Sequence, residues 1–510
     1  MNPLTLTIVA PAAASLLLAV VHWRRPDRGL ADGPAAAGLG VAVSLLCLVL
    51  VWLTWRARPP ASLYAGQVDR IWITPLGVHW HLGMDGVSLA FAVMTVLLSA
   101  ACCGLLVRHA PEGTGSTATL TSLVLLIEAA ALGVFLSLDL VLFFLFFELA
   151  LVPMWFVISG WGDPHDPVGR TRAATRFLMF TVGGSALMFV GFITISQAAG
   201  SLQIPALALR AQALTGPTAL LGGIAIALGL AVKTPVWPLH TWLPPAHTSA
   251  PTVGSVLLAG VFLKLGTYGF IRILVPILPV PTARMAPYLA AFAVTGIIYA
   301  SLACLRQRDL KSLVAWSSVG HMGFVILGLS TLTQAGLVAA VFASIAHGLV
   351  TGLLFVLAGS MKDRYGSADY TAIGRGLLGR TPWLGAAFMF ACLASLGLPG
   401  LAGFWGEMLA LRGSYQGGPA LRGGLTQPLL LVALVGVVLT AAYFLVAVRQ
   451  VLHGVPPHGG APGELDTDLD RGESTIVLAL VVGILWLGIV PGVMTGWINQ
   501  ALPWILGGVR

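Results

Sequence analysis

The chain has 510 residues, of which 57% are hydrophobic and only 9% are charged. A soluble domain has about 25% charged residues, so this composition excludes an ordinary soluble protein and indicates a polytopic membrane protein. The net charge of +8 is interpreted as loop charge under the positive-inside rule. No basic stretch is long enough for a nucleic-acid footprint, so a nucleic-acid partner is not predicted.

A membrane-spanning helix needs about 20 apolar residues. The chain contains about fourteen such segments, which predicts an all-α polytopic fold. Their bounds are roughly 4–22, 34–54, 86–107, 117–137, 139–161, 173–198, 216–236, 249–275, 285–305, 310–331, 334–361, 383–411, 426–448 and 475–500. The first segment has no basic residue before it and no evident cleavage site, so it is predicted to be a retained helix.

Two of the loops between these segments have a distinct composition. The loop at 55–85 is rich in Trp, Tyr, His and Pro, and it is predicted to form a short hairpin at the interface, where aromatic rings settle. The loop at 453–474 is polar and is predicted to be mobile. The remaining loops are short, which predicts one membrane domain.

The basic residues predict the orientation of the chain. Most of the 27 Lys and Arg residues follow odd-numbered spans, including Arg170, Arg306 and Lys311. Under the positive-inside rule those loops are cytoplasmic, and both termini then lie on the outer face. Only Lys233 and Lys264 are counted as basic residues inside spans.

Two spans are predicted to be broken helices. The seventh contains Pro235 and Pro238, and each removes a helix hydrogen bond. The twelfth reads LASLGLPGLAGFWGEM, with Pro399 between Gly397 and Gly400. Broken backbone at membrane depth survives only where protein or water satisfies the freed groups, so both breaks are candidate functional positions.

The spacing of the two breaks predicts internal repetition. They lie five spans apart, which indicates two five-helix repeats, inverted because each has an odd number of spans, as in many secondary transporters. The predicted divisions are the N-terminal helices and loop (1–116), the first repeat (117–275), the second repeat (276–452) and the polar loop with the last helix (453–510).

Four ionisable side chains lie deep within the predicted spans: Glu148, Lys233, Lys264 and Glu407. A charge at the bilayer centre costs about 2.5–3.5 kcal/mol on insertion scales. Residues with this cost usually mark an ion or proton path inside a membrane. These four side chains are therefore the main candidate site.

Glu148 and Lys233 are predicted to be partners. Burial disfavours the charged form of each, whereas a nearby opposite charge favours it, so Lys233 can release its proton when the ion pair opens. A static pair that only fixes helix packing is the alternative. Lys264 is predicted to form a two-station cation relay with Lys233, and snorkelling of its side chain to the interface is the alternative.

Four histidines are candidate proton relays, because histidine titrates nearest to physiological pH. His240 and His247 flank the turn after the seventh span, whereas His321 and His347 lie inside the tenth and eleventh spans. A lone histidine is more often a hydrogen-bonded structural residue. The second two are favoured because polar residues on membrane helices face the interior.

The other acids are assigned from their positions. Glu407 follows the break in the twelfth span and is predicted to be the last proton station before the outer face. Glu128, in the fourth span, is a weaker candidate for exchange with Glu148. Three further acids are interpreted as helix N-caps: Asp85, Asp139 and Asp309.

Metal and cofactor sites are not predicted in this chain. None of the five cysteines forms a Cys-x-x-Cys pair, and all fall in apolar segments, which argues against iron–sulfur, zinc and disulfide roles. No cysteine or carboxylate shares the spacing of the histidines. The cysteines are Cys47, Cys102, Cys103, Cys304 and Cys392.

Several strings of this sequence resemble the antiporter-like membrane subunits of respiratory complex I. They are FLSLDLVLFFLFFELALVPMW, AVKTPVWPLHTWLPPAHTSAPTVGSVLLAGVFLKLGTYG, QRDLKSLVAWSSVGHMGF and SLGLPGLAGFWGE. The resemblance covers roughly residues 80–415, and as a set these motifs are specific. Three paralogous subunits of the complex and the subunits of Mrp cation/proton antiporters share this fold.

The resemblance implies a role for each matched residue. The implied roles are a gating ion pair for Glu148 and Lys233, a central proton station for Lys264, a water-linked axis for His321 and His347, and an exit-side station for Glu407. Most relatives have a lysine at the position of Glu407, and one branch has a glutamate. Glu407 therefore points to that branch.

The resemblance implies a proton-translocating, non-redox subunit of NADH–quinone oxidoreductase in the bacterial plasma membrane. Its partners are then the lipid bilayer and the neighbouring membrane subunits, with flavin and iron–sulfur clusters in other subunits. Two alternatives remain open. One is a subunit of an Mrp-type sodium/proton antiporter or a membrane-bound hydrogenase, and the other is a purely structural anchor.

Overall fold

The computed structural model describes most of the chain as helix. The described residues are 2–24, 33–60, 62–108, 113, 115–417, 421, 426–454 and 466–507. Within these ranges, twelve helices are long and apolar enough to cross a membrane. The all-α polytopic fold that the composition predicts is therefore confirmed.

The first part of the fold contains three long helices and a hairpin. Its elements are α1 (Pro3–Arg24), α2 (Gly33–Arg56), β1 (Ala65–Ile73), β2 (Val78–Met84) and α3 (Gly86–Arg108). The strands pair antiparallel, with Val68 opposite Leu82, and Gly77 takes a left-handed φ of 63° at the turn. The predicted hairpin in the loop 55–85 is therefore confirmed.

The next group of helices contains the fourth to eighth spans and the first break. It comprises α4 (Thr117–Leu136), α5 (Leu140–Leu149), α6 (Leu151–Trp161), α7 (Pro167–Ala199), α8 (Ile204–Leu209), α9 (Pro217–Lys233), α10 (Leu243–Ser249), α11 (Thr252–Leu257), α12 (Leu263–Gly269) and α13 (Val275–Ile277). Two π-helical turns, Leu258–Phe262 and Phe270–Leu274, join α11 to α13 into one span. The hydropathy of the sequence does not predict these turns.

The second group of helices contains the other break. It comprises α14 (Pro279–Leu305), α15 (Leu310–Ser330), α16 (Gln334–Tyr365), α17 (Tyr370–Ile373), α18 (Leu377–Arg380), α19 (Pro382–Ser395), α20 (Ala402–Gln416) and α21 (Thr426–Leu452), followed by α22 (Arg471–Ile489) and α23 (Pro491–Leu506). The single last span predicted at 475–500 is therefore wrong. The helix divides before Pro491, because proline has no amide hydrogen for a continuing helix.

Both predicted breaks coincide with helix ends. The helix α9 ends at Lys233, and α19 ends at Ser395. Gly397 and Gly400 follow with φ values of 81° and 90°, a region that favours glycine. Because α9 and α19 are shorter than the twelve long helices, the count of fourteen spans stays a prediction.

One backbone arrangement occurs twice in the chain. Asp139 forms an isolated antiparallel bridge with Gln203, and Asp309 forms the same bridge with Asp369. In each case the aspartate also caps the following helix by accepting from its first amides, as predicted. This local repetition agrees with two related five-helix units, while their inversion and the predicted division at residue 275 stay predictions.

The helices that carry the candidate residues lie at the centre of the structure. The span Thr252–Ile277 is fully buried along its most apolar stretch, and Gln334–Tyr365 is nearly so. Gly260 and Gly348 lie at their contact, where the position of a Cβ on Gly260 is 3.6 Å from the Gly348 carbonyl oxygen. Small residues of this kind let membrane helices approach closely.

The loop predicted to be mobile forms side-chain contacts in the part that the structure describes. We call the residues Arg364, Arg380, Asp466, Asp468 and Glu473 the C-terminal clamp. Arg364 binds Glu473 through two hydrogen bonds of 2.6 and 3.0 Å, and Arg380 binds Asp466 at 2.8 Å. Such charge-assisted hydrogen bonds restrain residues 466–474, while the mobility of the loop stays a prediction and 455–465 lie outside the described residues.

Replacing Asp468 with alanine is expected to lower stability by about 1 kcal/mol, the usual cost of a lost helix cap. Its carboxylate accepts from the Trp383 and Leu384 amides at 2.9 Å, at the start of α19. The thermal unfolding midpoint of the purified protein in detergent measures the effect, with Thr475→Ala as an exposed control. Equal midpoints for wild type and Asp468→Ala would contradict the capping role.

Candidate functional site

The centre of the site is Lys264, which is completely buried on α12. Its Nζ donates to the Ala259 carbonyl oxygen at 2.5 Å and to Nδ1 of His347 at 2.6 Å. The preceding π turn makes the first contact possible, because the Leu263 amide donates to Leu258 rather than to Ala259. A π turn within an α-helix is frequently found at a functional site.

The contact with Lys264 determines which ring nitrogen of His347 carries the hydrogen. A lysine ammonium can only donate hydrogen bonds, so Nδ1 of His347 accepts and a neutral ring carries its hydrogen on Nε2. Nε2 has no hydrogen-bond partner among the described residues. The ring therefore receives a proton on one side and can release one on the other.

His347 leads to the second group of polar residues. Its ring centroid is 5.6 Å from that of His321, which lies on α15. His321 places Nδ1 3.3 Å from a carboxylate oxygen of Glu407 and Nε2 3.1 Å from the Ser395 hydroxyl. The rings and Glu407 line a cavity of about 20 Å³, which is large enough for one water molecule.

The second break positions Glu407. Its helix α20 begins after the glycine turn, and a Cβ on Gly397 would lie 2.9 Å from the Glu407 carboxylate. A side chain at position 397 would thus crowd the carboxylate in addition to straining the backbone. The break therefore both ends α19 at Ser395 and makes room for Glu407 beside His321.

Glu148 and Lys233 lie near each other without forming an ion pair. Their charges interact, and the Ser185 hydroxyl lies beside the carboxylate, but no ion pair within 4 Å joins them in the described residues. The Lys233 Nζ instead lies 4.6 Å from the ring centroid of Phe147 and 4.9 Å from that of Phe262. Rings at these distances attract an ammonium through their quadrupole.

The two aromatic partners of Lys233 were missed in the sequence. Phe147 is adjacent to Glu148, and Phe262 lies in the π turn two residues before Lys264. Phe262 thus belongs to the same helix as Lys264, although no contact within the described residues joins the two lysines directly. The predicted two-station relay between them stays a prediction.

The weaker histidine candidates occupy aromatic surroundings. His240 contacts Tyr299 and Trp316, with ring centroids 5.5 and 5.4 Å away. His247 stacks on Phe355 at 4.7 Å. Neither ring has a hydrogen-bond partner among the described residues, so neither is a hydrogen-bonded structural histidine, the more common role of a lone histidine.

Glu128 lies apart from the other candidates. It is fully buried on α4, and one of its oxygens accepts from the Ser44 hydroxyl at 2.6 Å. No contact between Glu128 and Glu148 occurs in the described residues. Exchange of a proton between these two acids therefore stays a prediction without a contact to support it.

A buried ion pair next to the site was also missed. Arg272 binds Asp85 at 2.6 Å, and both side chains are at most 1% exposed. Asp85 caps α3 by accepting from the Val87 and Ser88 amides, as predicted. Arg272 was counted as a loop residue, although its position four residues after Tyr268 and eight after Lys264 on one helix signals a shared buried face.

No metal centre is assembled from the residues that the structure describes. No group of three or more His, Cys, Asp and Glu side chains among them is arranged to hold a metal ion. The five cysteines are all buried and unpaired. The chemistry that this arrangement supports is proton transfer between buried nitrogen and oxygen atoms.

Comparison with known proteins identifies the family. Residues 137–440 match the family described as NADH:quinone oxidoreductase/Mrp antiporter, TM. NADH-quinone oxidoreductase subunit M of Rhodobacter capsulatus is 36% identical, over 98% of this chain and 96% of the relative. NADH-ubiquinone oxidoreductase chain 4 of Marchantia polymorpha is 35% identical, over 93% and 92%.

Comparison of the fold with solved structures identifies the same family. A chain of respiratory complex I from Thermus thermophilus with bound NADH superposes with a TM-score of 0.86 and 28% identity, covering 99% of this chain and 100% of that chain. This protein therefore belongs to the family of NADH:quinone oxidoreductase and Mrp antiporter membrane subunits. Within the family it is similar to subunit M of NADH-quinone oxidoreductase, the branch to which Glu407 points, so the resemblance is confirmed.

Proposed function

We propose that this chain is a proton-translocating membrane subunit of an NADH–quinone oxidoreductase, in which protons pass along a buried axis of Lys264, His347, His321 and Glu407. The observation that carries the proposal is the series of contacts joining these residues, at 2.6 Å, 5.6 Å between ring centroids and 3.3 Å. Intramembrane ionisable residues in such chains are typical of proton relays.

The contacts support stepwise proton transfer along the axis from Lys264 to Glu407. Lys264 gives a proton to Nδ1 of His347, and that ring releases its other proton from Nε2. His321 takes it up through the small cavity and passes a proton to Glu407. Because each imidazole accepts at one nitrogen and releases from the other, one proton moves per step and each ring ends neutral.

Glu148 and Lys233 form the regulatory part of the proposal. When Glu148 is ionised and close, it stabilises the protonated Lys233, and when it withdraws, the burial of Lys233 favours loss of the proton. The aromatic rings beside Lys233 hold its ammonium while the pair is open. Quinone reduction elsewhere in the complex would drive this change.

The setting of the chain in the cell belongs to the same proposal. The chain lies in the bacterial plasma membrane with both termini on the outer face, as its loop charges favour. It assembles with the other membrane subunits of the complex, especially the neighbouring antiporter-like ones. Flavin and iron–sulfur clusters are assigned to partner subunits of the oxidoreductase, as the family membership favours.

Proton uptake by membrane vesicles, driven by NADH oxidation, tests the proposal in the Lys233→Ala variant. Uptake is expected to fall while the complex still assembles, because the variant removes a buried group that gains and loses a proton. The matched control is Lys362→Ala, which removes a partly exposed lysine paired with Asp163 at 3.5 Å.

Other outcomes would identify the alternatives. Unchanged pumping and NADH oxidation in Lys233→Ala would make the buried charges structural, or would place the chain in a different complex. Sodium-dependent transport in the same vesicles would favour an antiporter of the Mrp type. Loss of pumping in an assembled Glu407→Lys variant would favour the oxidoreductase.

A further inference from the structure

Lys311 differs from its predicted role as a cytoplasmic loop charge. It lies in the first turn of α15 and is 3% exposed. Its Nζ donates at 2.9 Å to the carbonyl oxygen of Ala250, an uncharged partner. A cation near a helix N-terminus opposes the helix dipole, so both burial and position make the charged form of this lysine costly.

A large cavity reaches Lys311 from one face of the fold. Its volume is about 540 Å³, and its lining includes Lys311, Ala250, Asp163, Lys362 and Glu473. Several charged side chains in the lining make it a polar cavity, and its size accommodates many water molecules. Lys362 in this lining is partly exposed, whereas Lys311 is buried.

His247 is close to Lys311 in the fold. It is completely buried on α10, and the Ala250 carbonyl that accepts from Lys311 belongs to the residue that ends this helix, three positions after His247. Both ring nitrogens lack a hydrogen-bond partner among the described residues. A buried polar group left unpaired is destabilising, and such exceptions in native structures often have a catalytic role or an ordered water.

The helix α16 connects the same two places. Phe355 stacks on His247, and His347 lies eight residues earlier on that helix and binds Lys264. Residues eight apart lie on one helix face. The face of α16 that carries His347 therefore reaches His247, and Val356 and Ser360 farther along the same helix line the cavity together with Lys311.

We propose that Lys311 and His247 form an uptake route that carries protons from the 540 Å³ cavity to Lys264. This inference rests on the proposed function, because it supplies the axis at Lys264 by a route that bypasses Glu148 and Lys233. Lys311 releases its proton to one nitrogen of His247 and is reprotonated from the cavity. His247 releases the proton of its other nitrogen to a Lys264 that has already given its own to His347.

The test is the number of protons taken up per NADH oxidised, measured in vesicles that contain the assembled complex. Lys311→Arg keeps the charge and a donor for Ala250, but arginine does not release its proton in proteins. His247→Phe keeps a ring to stack on Phe355 and removes both nitrogens. Both ratios are expected to fall to that of Lys264→Met, the reference variant that removes the central station.

The matched controls are Lys362→Arg and His165→Phe, the same substitutions at residues on the open side of the cavity. They are expected to keep the wild-type ratio. If Lys311→Arg prevents assembly, His247→Phe alone decides, because it retains the ring contact.

The outcomes of this experiment distinguish the uptake route from the proposed function on which it rests. A wild-type ratio in either assembled variant, together with a reduced ratio in Lys264→Met, overturns the uptake route and leaves the axis standing. A wild-type ratio in Lys264→Met overturns the proposed function and the route with it. Reduced ratios in all three variants, with both controls unchanged, support the route.

Discussion

Lys264→Met is expected to reduce proton transport through this chain by a factor of about 100 or more, the usual contribution of a positioned proton-transfer group. Methionine matches the length of lysine and tolerates an apolar enclosure, so the packing of α12 against α16 is retained. What is lost is the ammonium group that contacts both the Ala259 carbonyl and Nδ1 of His347.

The measurement for this variant is proton uptake per NADH oxidised by the assembled complex. Lys264→Arg is the informative control, because it restores the charge and the hydrogen bonds but not the release of a proton. Full recovery of transport in Lys264→Arg would contradict the proposed role and would make Lys264 a fixed charge that holds the helices together. Loss in both variants would identify proton release as the function of this side chain.

Arg272→Met is expected to destabilise the protein by about 3–5 kcal/mol, the cost of breaking a buried ion pair by removing one partner. The change leaves the Asp85 carboxylate buried and unpaired, with both side chains at most 1% exposed in the native structure. It also removes the guanidinium group that donates to the Tyr268 and Ser88 hydroxyl oxygens at 3.0 and 3.1 Å. The recovered amount of complex and the thermal unfolding midpoint of the protein measure the effect.

The double variant Asp85→Ala, Arg272→Met serves as the control for this prediction. Replacing both members of a buried pair by apolar residues is often neutral, so the double variant is expected to recover part of the stability lost in the single one. The coupling between the two changes follows from a double-mutant cycle. Additive losses would show that the two side chains contribute independently and that the ion pair itself contributes little.

The local chemistry of the sequence predicted much of the fold and pointed to candidate residues that the structure brings together. Apolar segment lengths predicted the helices, and Pro235 and Gly397 lie at the two breaks because proline and glycine act on the backbone of their own neighbourhood. The cost of burial identified Lys264 and Glu407 as candidates. These signals need no knowledge of the packing between distant segments.

Contacts between distant segments of the chain could not be predicted from the sequence. The bond from Lys264 to His347 joins two helices, and the cation–π contacts of Lys233 depend on Phe262 arriving from another span. A charge count also cannot tell a buried base from a loop base, which is why Arg272 and Lys311 were assigned to loops. In both cases the environment is created by helices that lie elsewhere in the chain.

The repeated bridge of Asp139 with Gln203 and of Asp309 with Asp369 has a consequence for the synthesis of the protein. Each bridge joins two residues that are near each other in the sequence, and the first bridge needs no residue after Gln203. Segments made in order on the ribosome generally fold with the N-terminal one first. The backbone around Asp139 can therefore close and cap its own helix while the segment that contains the second bridge is still being translated.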